Sequence, residues 1–248
     1  MVMALVFRGV AFEFRFKAHR SRRLWTLSFI GGSMLTAFAQ GIILGALVEG
    51  MALDNGRYVG GVFGWFSPFT ILTGAALVFG YALLGSTWLI LKTDGRTHEL
   101  ARQLTRPLVG VVVAFMVLVS AWLPFLSSHV MARWFEHGNF WWLSPIPVIT
   151  AVVAMLLWRA GNTSRNHASP FLLTLAIFVL GFIGLVLGMW PYLVPPSYTI
   201  WQAAAPPSSQ IFPMVGLIVL LPLVLGYTAW SYRVFRGKIA ADVGYHHH

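Results

Sequence analysis

Long apolar segments separated by short polar segments run through the sequence from residue 24 to residue 232. A transmembrane helix needs about 20 consecutive apolar residues, and most of these segments approach or exceed that length. The pattern predicts an all-α, polytopic transmembrane helix bundle that forms a single membrane domain over residues 1–248. Six full spans are predicted, over residues 24–48, 65–91, 107–125, 141–158, 171–190 and 211–232.

The first residues follow a different pattern, because residues 1–16 are apolar but too few to cross a bilayer. We interpret them as the remnant of a helix, with one acid, Glu13, between two phenylalanines. A basic loop follows, from Arg15 to Arg23. No cleavable signal peptide is recognisable before the spans, so we expect the spans themselves to direct insertion.

Composition supports a membrane protein: 58% of the residues are hydrophobic and only 10% are charged, against about 25% charged in soluble domains. The formal net charge of +10 would suggest a nucleic-acid partner for a soluble chain. Here the cations lie in short loops between spans, where they set orientation, and we expect no nucleic-acid partner. The absence of cysteine excludes disulfides, thiolate metal sites and covalent c-type haem through this chain.

The lysines and arginines are distributed unevenly between the two sides of the predicted bundle. Of the 17 Lys and Arg residues, only Arg57 and Arg133 fall in loops on the side away from the basic loop. Cytoplasmic loops are enriched in Lys and Arg, so the sequence predicts that the basic loop and the C-terminus are cytoplasmic.

Glu13 is the main candidate for chemistry. A carboxylate at the edge of the hydrocarbon region is costly, so it needs either a partner or a role in proton transfer. Lys17 follows at the i,i+4 spacing of an exposed helical ion pair, which is worth a few tenths of a kcal/mol. Arg8 lies about 140° around the helix, too far for a direct pair on one face. The spacing leaves both alternatives open: a helix-end ion pair, or a proton-conducting carboxylate near the cytoplasmic surface.

A haem bound by this chain would need a ligand inside the membrane, usually His or Met. The histidines all fall in predicted loops or the tail, at positions 19, 98, 129, 137, 167 and 246–248. Met34, Met116 and Met155 lie in spans, where a single Met is usually a packing residue. We therefore expect this chain to bind no haem and no metal, and the absence of HExxH, GxSxG, P-loop or paired-acid motifs predicts no catalytic residue.

The remaining acids are interpreted as solvated loop charges: Glu49, Asp54, Asp94, Glu99, Glu136 and Asp242. Two pairs of glycines have the small-xxx-small spacing that lets membrane helices approach closely. They are Gly41 with Gly45, and Gly184 with Gly188.

The long segment from Tyr192 to Gln210 contains no charged residue and is rich in Pro, Ser and aromatic side chains. We interpret it as a contact with a partner subunit, with the contacts centred on Trp190, Tyr192, Trp201 and Gln202. The alternative is an ordinary ordered loop.

Several segments together resemble one family. They are Phe7–Arg15, Gln40-Gly41 with Gly45, Gly80–Thr93, Trp190–Gln210 and Gly226–Lys238. The resemblance covers nearly the whole chain and is to subunit II of the cytochrome bd family of quinol oxidases, in its cyanide-insensitive branch. Family members have about two further spans before this point, with an Asp-Gly-Phe-Asp-like and a Gly-Asn-x-x-Trp-like run that do not occur in this sequence.

The resemblance implies a haem-free partner of a haem-bearing subunit I, in which quinol is oxidised and O2 is reduced to water. Haem d and two b-type haems are expected in that partner. The family motif places a proton-path acid at Glu13, with Arg8 and Arg15 in the same motif.

Small accessory subunits and membrane lipids are further expected partners, and the bacterial cytoplasmic (inner) membrane is the expected location. A secondary transporter and a structural membrane scaffold subunit are the alternatives.

Overall fold

The structure, a computed structural model, describes residues 1–18, 20–54, 56–126, 140–161, 167–235 and 237. Most of these residues are helical, which confirms the predicted all-α polytopic class. The helices are α1 (Val2–Lys17), α2 (Arg22–Glu49), α3 (Pro68–Lys92), α4 (Gly95–Leu126), α5 (Phe140–Leu143), α6 (Pro145–Ala160), α7 (Ser169–Met189), α8 (Ile200–Ala203) and α9 (Pro207–Val234). Two small antiparallel hairpins are formed by β1 (Leu53–Asp54) with β2 (Arg57–Tyr58), and by β3 (Tyr192–Val194) with β4 (Tyr198–Thr199).

Among the described residues, five helices are long and apolar enough to cross a membrane: α2, α3, α4, α7 and α9. The predicted fourth span corresponds to α6, which is apolar but has only 16 residues. Prolines at the start of α6 fit its first turn, where the backbone N–H has no helical acceptor. The predicted count of six full spans and the predicted cytoplasmic C-terminus stay predictions.

The helix of the third predicted span is longer than the span itself. α4 begins at Gly95, so most of the charged segment expected to be a loop before Pro107 is helical. The residues of this segment include good helix formers such as Leu, Arg, Gln and Glu, and a helix can continue beyond the hydrocarbon where its polar side chains meet water. Gly95 has φ +68°, a left-handed conformation that glycine adopts at low cost, and it makes the turn from α3 into α4.

The closest helix packing joins α2 and α3. A Cβ added to Gly41 would lie 2.5 Å from the Thr73 carbonyl oxygen and 2.6 Å from the Gly74 Cα. One added to Gly45 would overlap the Thr73 side chain. The approach lets the Thr73 hydroxyl donate across the interface to the Gly41 carbonyl, at 2.9 Å. Close backbone approach of this kind supports membrane helix association, because lipid provides no hydrophobic drive for it.

A second packing centre joins α3, α4, α6 and α7 through side chains rather than glycines. Its buried members are Leu83, Val109, Val112, Ala154, Leu157 and Ile177. Beside it, the buried hydroxyls of Ser86 and Thr105 lie 3.2 Å apart between α3 and α4. Each of the two also donates to a backbone carbonyl of its own helix.

The first and last helices lie at the edges of this bundle. α1 packs against α2 through the buried small residues Ala4 and Ala11. α9 has no buried residue, and it contacts α3 near its C-terminal end. There the Tyr232 ring packs against Trp88 with centroids 5.8 Å apart, and the Lys92 Nζ donates to the Phe235 carbonyl at 2.9 Å.

Candidate functional site

Glu13 lines an open groove on the outer side of α1 and α2. The groove has a volume of about 670 Å³ and is mostly apolar. Its lining residues are Leu5, Arg8, Gly9, Val10, Phe12, Glu13, Phe14 and Phe29. Arg8 and Glu13 therefore reach the same groove, although they lie on different sides of the helix.

The carboxylate of Glu13 is exposed, and within the described part of the chain the structure shows no ion pair or hydrogen bond to it. Lys17, also exposed, is not paired with it in this structure. The i,i+4 spacing permits that pair, but an exposed pair gains little because holding two long side chains together costs conformational entropy. Glu13 is thus available to water at the mouth of the groove.

Arg8 and Arg15 contact α2 instead of Glu13. The Arg8 guanidinium carbon lies 5.7 Å from the centre of the Phe29 ring, a cation–π arrangement. The Arg15 Nε donates to the Thr26 hydroxyl at 3.1 Å. These contacts fix the rotation of α1 on α2, and with it the side on which Glu13 is presented.

An aromatic contact at the end of α1 has the same effect. The rings of Phe14 and Trp25 lie 5.1 Å apart between centroids. Sequence reasoning did not single out Trp25, which stands just after the basic loop. The only available signal was its position two residues after Arg23, the last of a cluster of cations.

The segment predicted to contact a partner folds into the β3–β4 hairpin followed by α8. Trp190 and Trp201 come together edge to face, with ring centroids 5.4 Å apart, and both are substantially exposed. Tyr192 pairs with Thr199 in the hairpin. Gln202 completes a capping box with Thr199 at the start of α8, which gives its side chain a local role in addition to any partner contact.

This hairpin lies against the end of α2. Gly50 has φ +93°, and a Cβ there would overlap the Pro195 carbonyl oxygen. Only glycine combines this backbone conformation with so close an approach.

Of the two predicted glycine pairs, only one lies at a close helix contact among the described residues. Gly41 and Gly45 lie in the close α2–α3 contact. A Cβ at Gly184 would make an ordinary contact with Ile146 at 3.8 Å, and one at Gly188 would meet nothing within 4 Å. Packing by Gly184 and Gly188 therefore stays a prediction.

Glu49 was predicted to be a solvated loop charge, and that interpretation is wrong. Its carboxylate is half-buried at the end of α2 and accepts a 2.5 Å hydrogen bond from the Ser67 hydroxyl. Ser67 is the N-cap of α3 and forms a reciprocal capping box with Thr70. The contact joins residues 18 positions apart, so helical spacing could not reveal it.

The described histidines lie outside the apolar spans. His98 stands in the first turns of α4 with Nδ1 3.1 Å from the Ile90 carbonyl, and its ring centroid is 5.1 Å from that of His167. The described ranges contain no group of three or more His, Cys, Asp or Glu side chains that could hold a metal ion. The predictions for residues 19, 129, 137 and 246–248 lie outside the described residues.

These features define a class: a multi-pass, all-α membrane protein with an acid at the mouth of a surface groove. The family model for cytochrome bd terminal oxidase subunit II matches residues 1–235. The chain belongs to that family, as the sequence resemblance predicted. It is therefore a subunit of a terminal oxidase, an oxidoreductase complex of the bacterial inner membrane, and it works together with another subunit.

Individual relatives agree. The probable cytochrome oxidase subunit 2 of Haemophilus influenzae is 23% identical over 281 residues, covering 98% of this chain and 73% of that protein. The cytochrome bd-I ubiquinol oxidase subunit 2 of Escherichia coli K12 is 25% identical over 280 residues, with the same coverage of 98% and 73%. The cytochrome bd ubiquinol oxidase subunit 2 of Bacillus subtilis is 24% identical over 249 residues, covering 97% and 72%. The cyanide-insensitive branch stays a prediction.

Proposed function

We propose that this chain is the haem-free subunit of a quinol oxidase and that it braces a haem-bearing subunit I. In that partner, quinol would be oxidised and O2 reduced to water at haem d, with two b-type haems completing the set. The names of the Escherichia coli and Bacillus subtilis relatives support quinol as the substrate. The position of His98 and His167 near helix ends, away from the apolar spans, supports placing the haems in the partner.

The second part of the proposal gives Glu13 a role in proton uptake from the cytoplasmic side. Its carboxylate, which is exposed in the groove and has no partner among the described residues, carries this proposal. A carboxylate with no fixed counter-ion can take a proton from water and release it again without first breaking an ion pair. Arg8 lines the same groove.

The aromatic surface of Trp190 and Trp201, with Tyr192 and Gln202 beside it, is proposed as a contact with the partner. Large exposed aromatic side chains are typical of protein interfaces because they bury much area at little entropic cost. Small accessory subunits would find similar surfaces on the exposed helices.

The test of Glu13 uses the complete oxidase complex with Glu13→Gln, Glu13→Asp and Glu99→Gln. Glu13→Gln removes the titrating group and keeps the size, so we expect quinol-driven oxygen consumption to fall about 10²-fold, the lower end of what a positioned proton donor contributes. Glu13→Asp should retain most of the activity. Glu99→Gln removes an exposed acid from another helix, α4, and should leave turnover unchanged.

The proton role is tested apart from assembly by measuring haem content in each preparation. A Glu13→Gln complex with full haem content and normal oxygen consumption would refute proton uptake through Glu13. It would leave the bracing role intact. Haem found ligated to this chain would refute the haem-free assignment instead.

A further inference from the structure

Four residues of α4 stand at successive i,i+4 positions and so share one face of the helix: His98, Arg102, Arg106 and Gly110. The end of α6 lies on this face. The ring of Trp158 comes within 3.3 Å of where a Gly110 Cβ would lie.

Both arginines of the face border Gly161, the residue that follows α6. The Arg102 Nε points at the Gly161 carbonyl oxygen from 3.5 Å, and the Arg106 Cγ lies 3.8 Å from where a Gly161 Cβ would lie. Arg159, in the last turn of α6, brings a third guanidinium to the same end of the bundle. Three arginines from two helices therefore stand at the same end of the bundle, two of them beside Gly161.

The depth of this cluster in the membrane follows from the sequence of α4. The uncharged part of the helix begins at Pro107, so Arg106 stands at the edge of the hydrocarbon region. Arg102 is one turn further out, about 6 Å along the helix axis. The headgroup layer on each side of a bilayer is about 5–8 Å thick, so the two guanidinium groups bracket the depth of lipid phosphates.

The charge of Arg106 is not neutralised by the chain as described. Its Nε is buried and has no hydrogen-bond partner, and no ion pair to its guanidinium is found among the described residues. The nearest acids in sequence, Asp94 and Glu99, are exposed and lie farther from the hydrocarbon edge. A guanidinium held at the lipid boundary without a carboxylate is a ready partner for an anion, which its terminal nitrogens can bind in a bidentate way.

We propose that Arg102 and Arg106 of α4 form a binding site for the phosphate headgroup of an anionic phospholipid, with Arg159 adding positive charge at the same end of the bundle. The acyl chains would lie along the apolar surfaces of α4 and α6 below the arginines. Basic pockets between membrane helices at the headgroup level have the charge and depth that anionic lipids require. The site stands apart from the Glu13 groove and does not depend on the proton role proposed for it.

The test uses the purified oxidase complex reconstituted with phosphatidylglycerol or phosphatidylcholine, with bound lipid measured by native mass spectrometry. The double variant Arg102→Gln/Arg106→Gln removes two charges from the site. A matched control, Arg22→Gln/Arg23→Gln, removes two exposed charges at the start of α2. We expect phosphatidylglycerol to bind the first variant about 30-fold more weakly, since each cation near an anionic surface contributes about 1 kcal/mol. Binding to the control should be unchanged.

Three outcomes would overturn the proposal: equal binding of phosphatidylglycerol to both double variants, equal retention of the two lipids by the unaltered complex, or displacement of the bound lipid by inorganic phosphate alone. A fourth outcome, selective capture of an acidic peptide instead of lipid, would also overturn it. If the double variant does not assemble, Arg102→Gln alone gives the answer, because this side chain is only half-buried. The single variant should weaken phosphatidylglycerol binding about fivefold, and unchanged binding would refute the site.

Discussion

The i,i+4 spacing of Glu13 and Lys17 does not by itself determine whether these exposed side chains form an ion pair. They stand four residues apart on α1, yet the structure leaves them without an ion pair. An exposed pair contributes so little that neighbouring packing decides where each side chain goes. The α1–α2 contacts of Phe14 and Arg15 orient the helix, and Glu13 is presented to the groove as a result.

Gly41 and Gly85 provide a matched pair of glycines for a test at this scale. Gly41→Ala would place a methyl group against the backbone of Thr73 and Gly74, whereas Gly85→Ala would meet nothing within 4 Å. We expect Gly41→Ala to cost about 1–3 kcal/mol through overpacking. Gly85→Ala should be neutral or stabilise by up to about 1 kcal/mol, because glycine is a poor helix former.

The measurement is the thermal unfolding midpoint of the purified oxidase complex carrying each substitution. Equal midpoints for the two variants would show that the α2–α3 backbone contact is not a source of stability. A lower midpoint for Gly85→Ala alone would point instead to a partner helix packed on that face.

At the scale of elements, the start of α3 is tied to the end of α2 through Ser67. This residue caps α3 and donates to the Glu49 carboxylate, so one side chain satisfies a helix terminus and joins two helices. The negative charge of Glu49 also lies near the positive end of the α3 dipole, which is a favourable arrangement.

Ser67→Ala removes both contacts, and we expect it to cost about 1 kcal/mol or somewhat more. Amide exchange in the first turn of α3 should become faster, which hydrogen-exchange mass spectrometry would detect. Ser144→Ala is a suitable control, because Ser144 precedes α6 without making a side-chain cap bond. Similar exchange at the α3 start in unaltered and Ser67→Ala protein would contradict the capping role.

The elements that sequence predicted well are those set by local pattern, whereas the missed features are contacts between distant positions. The apolar segments of α2, α3 and α7 are long enough to be identified as membrane spans from the sequence alone. The extension of α4 back to Gly95 was missed because the charges of that segment were read as a loop, although they tolerate a helix outside the hydrocarbon. The hydrogen bond between Glu49 and Ser67 depends on how two helices pack together. So does the difference between the two glycine pairs, of which only Gly41 and Gly45 lie at a close contact. The sequence of one helix does not determine such packing.

At the scale of the whole molecule, the fold suits a subunit that is completed by a partner. The Glu13 groove, the aromatic pair Trp190–Trp201 and the whole of α9 are exposed in the chain by itself. Large exposed apolar surface on a membrane protein is covered either by lipid or by another subunit.

Purification in mild detergent distinguishes the oxidase subunit from an independent transporter or scaffold. We expect haem absorption bands to accompany this chain when it is produced with its partner, and to be absent when it is produced alone. Trp201→Ala should reduce the haem that co-purifies, because its side chain is 65% exposed on the proposed contact. Phe182→Ala, at 67% exposure on α7, controls for loss of an exposed aromatic ring elsewhere. An equal loss of haem in both variants would argue against a contact centred on Trp201.

The attachment of α9 near one end has a mechanical consequence. A helix of 28 residues is about 42 Å long, so a change in tilt of about 10° around Tyr232 would swing its other end sideways by about 7 Å. Helices adjust their tilt to the thickness of the bilayer. Because α8 and the β3–β4 hairpin are joined to the swinging end, a thinner or thicker bilayer would reposition Trp201 relative to whatever it touches.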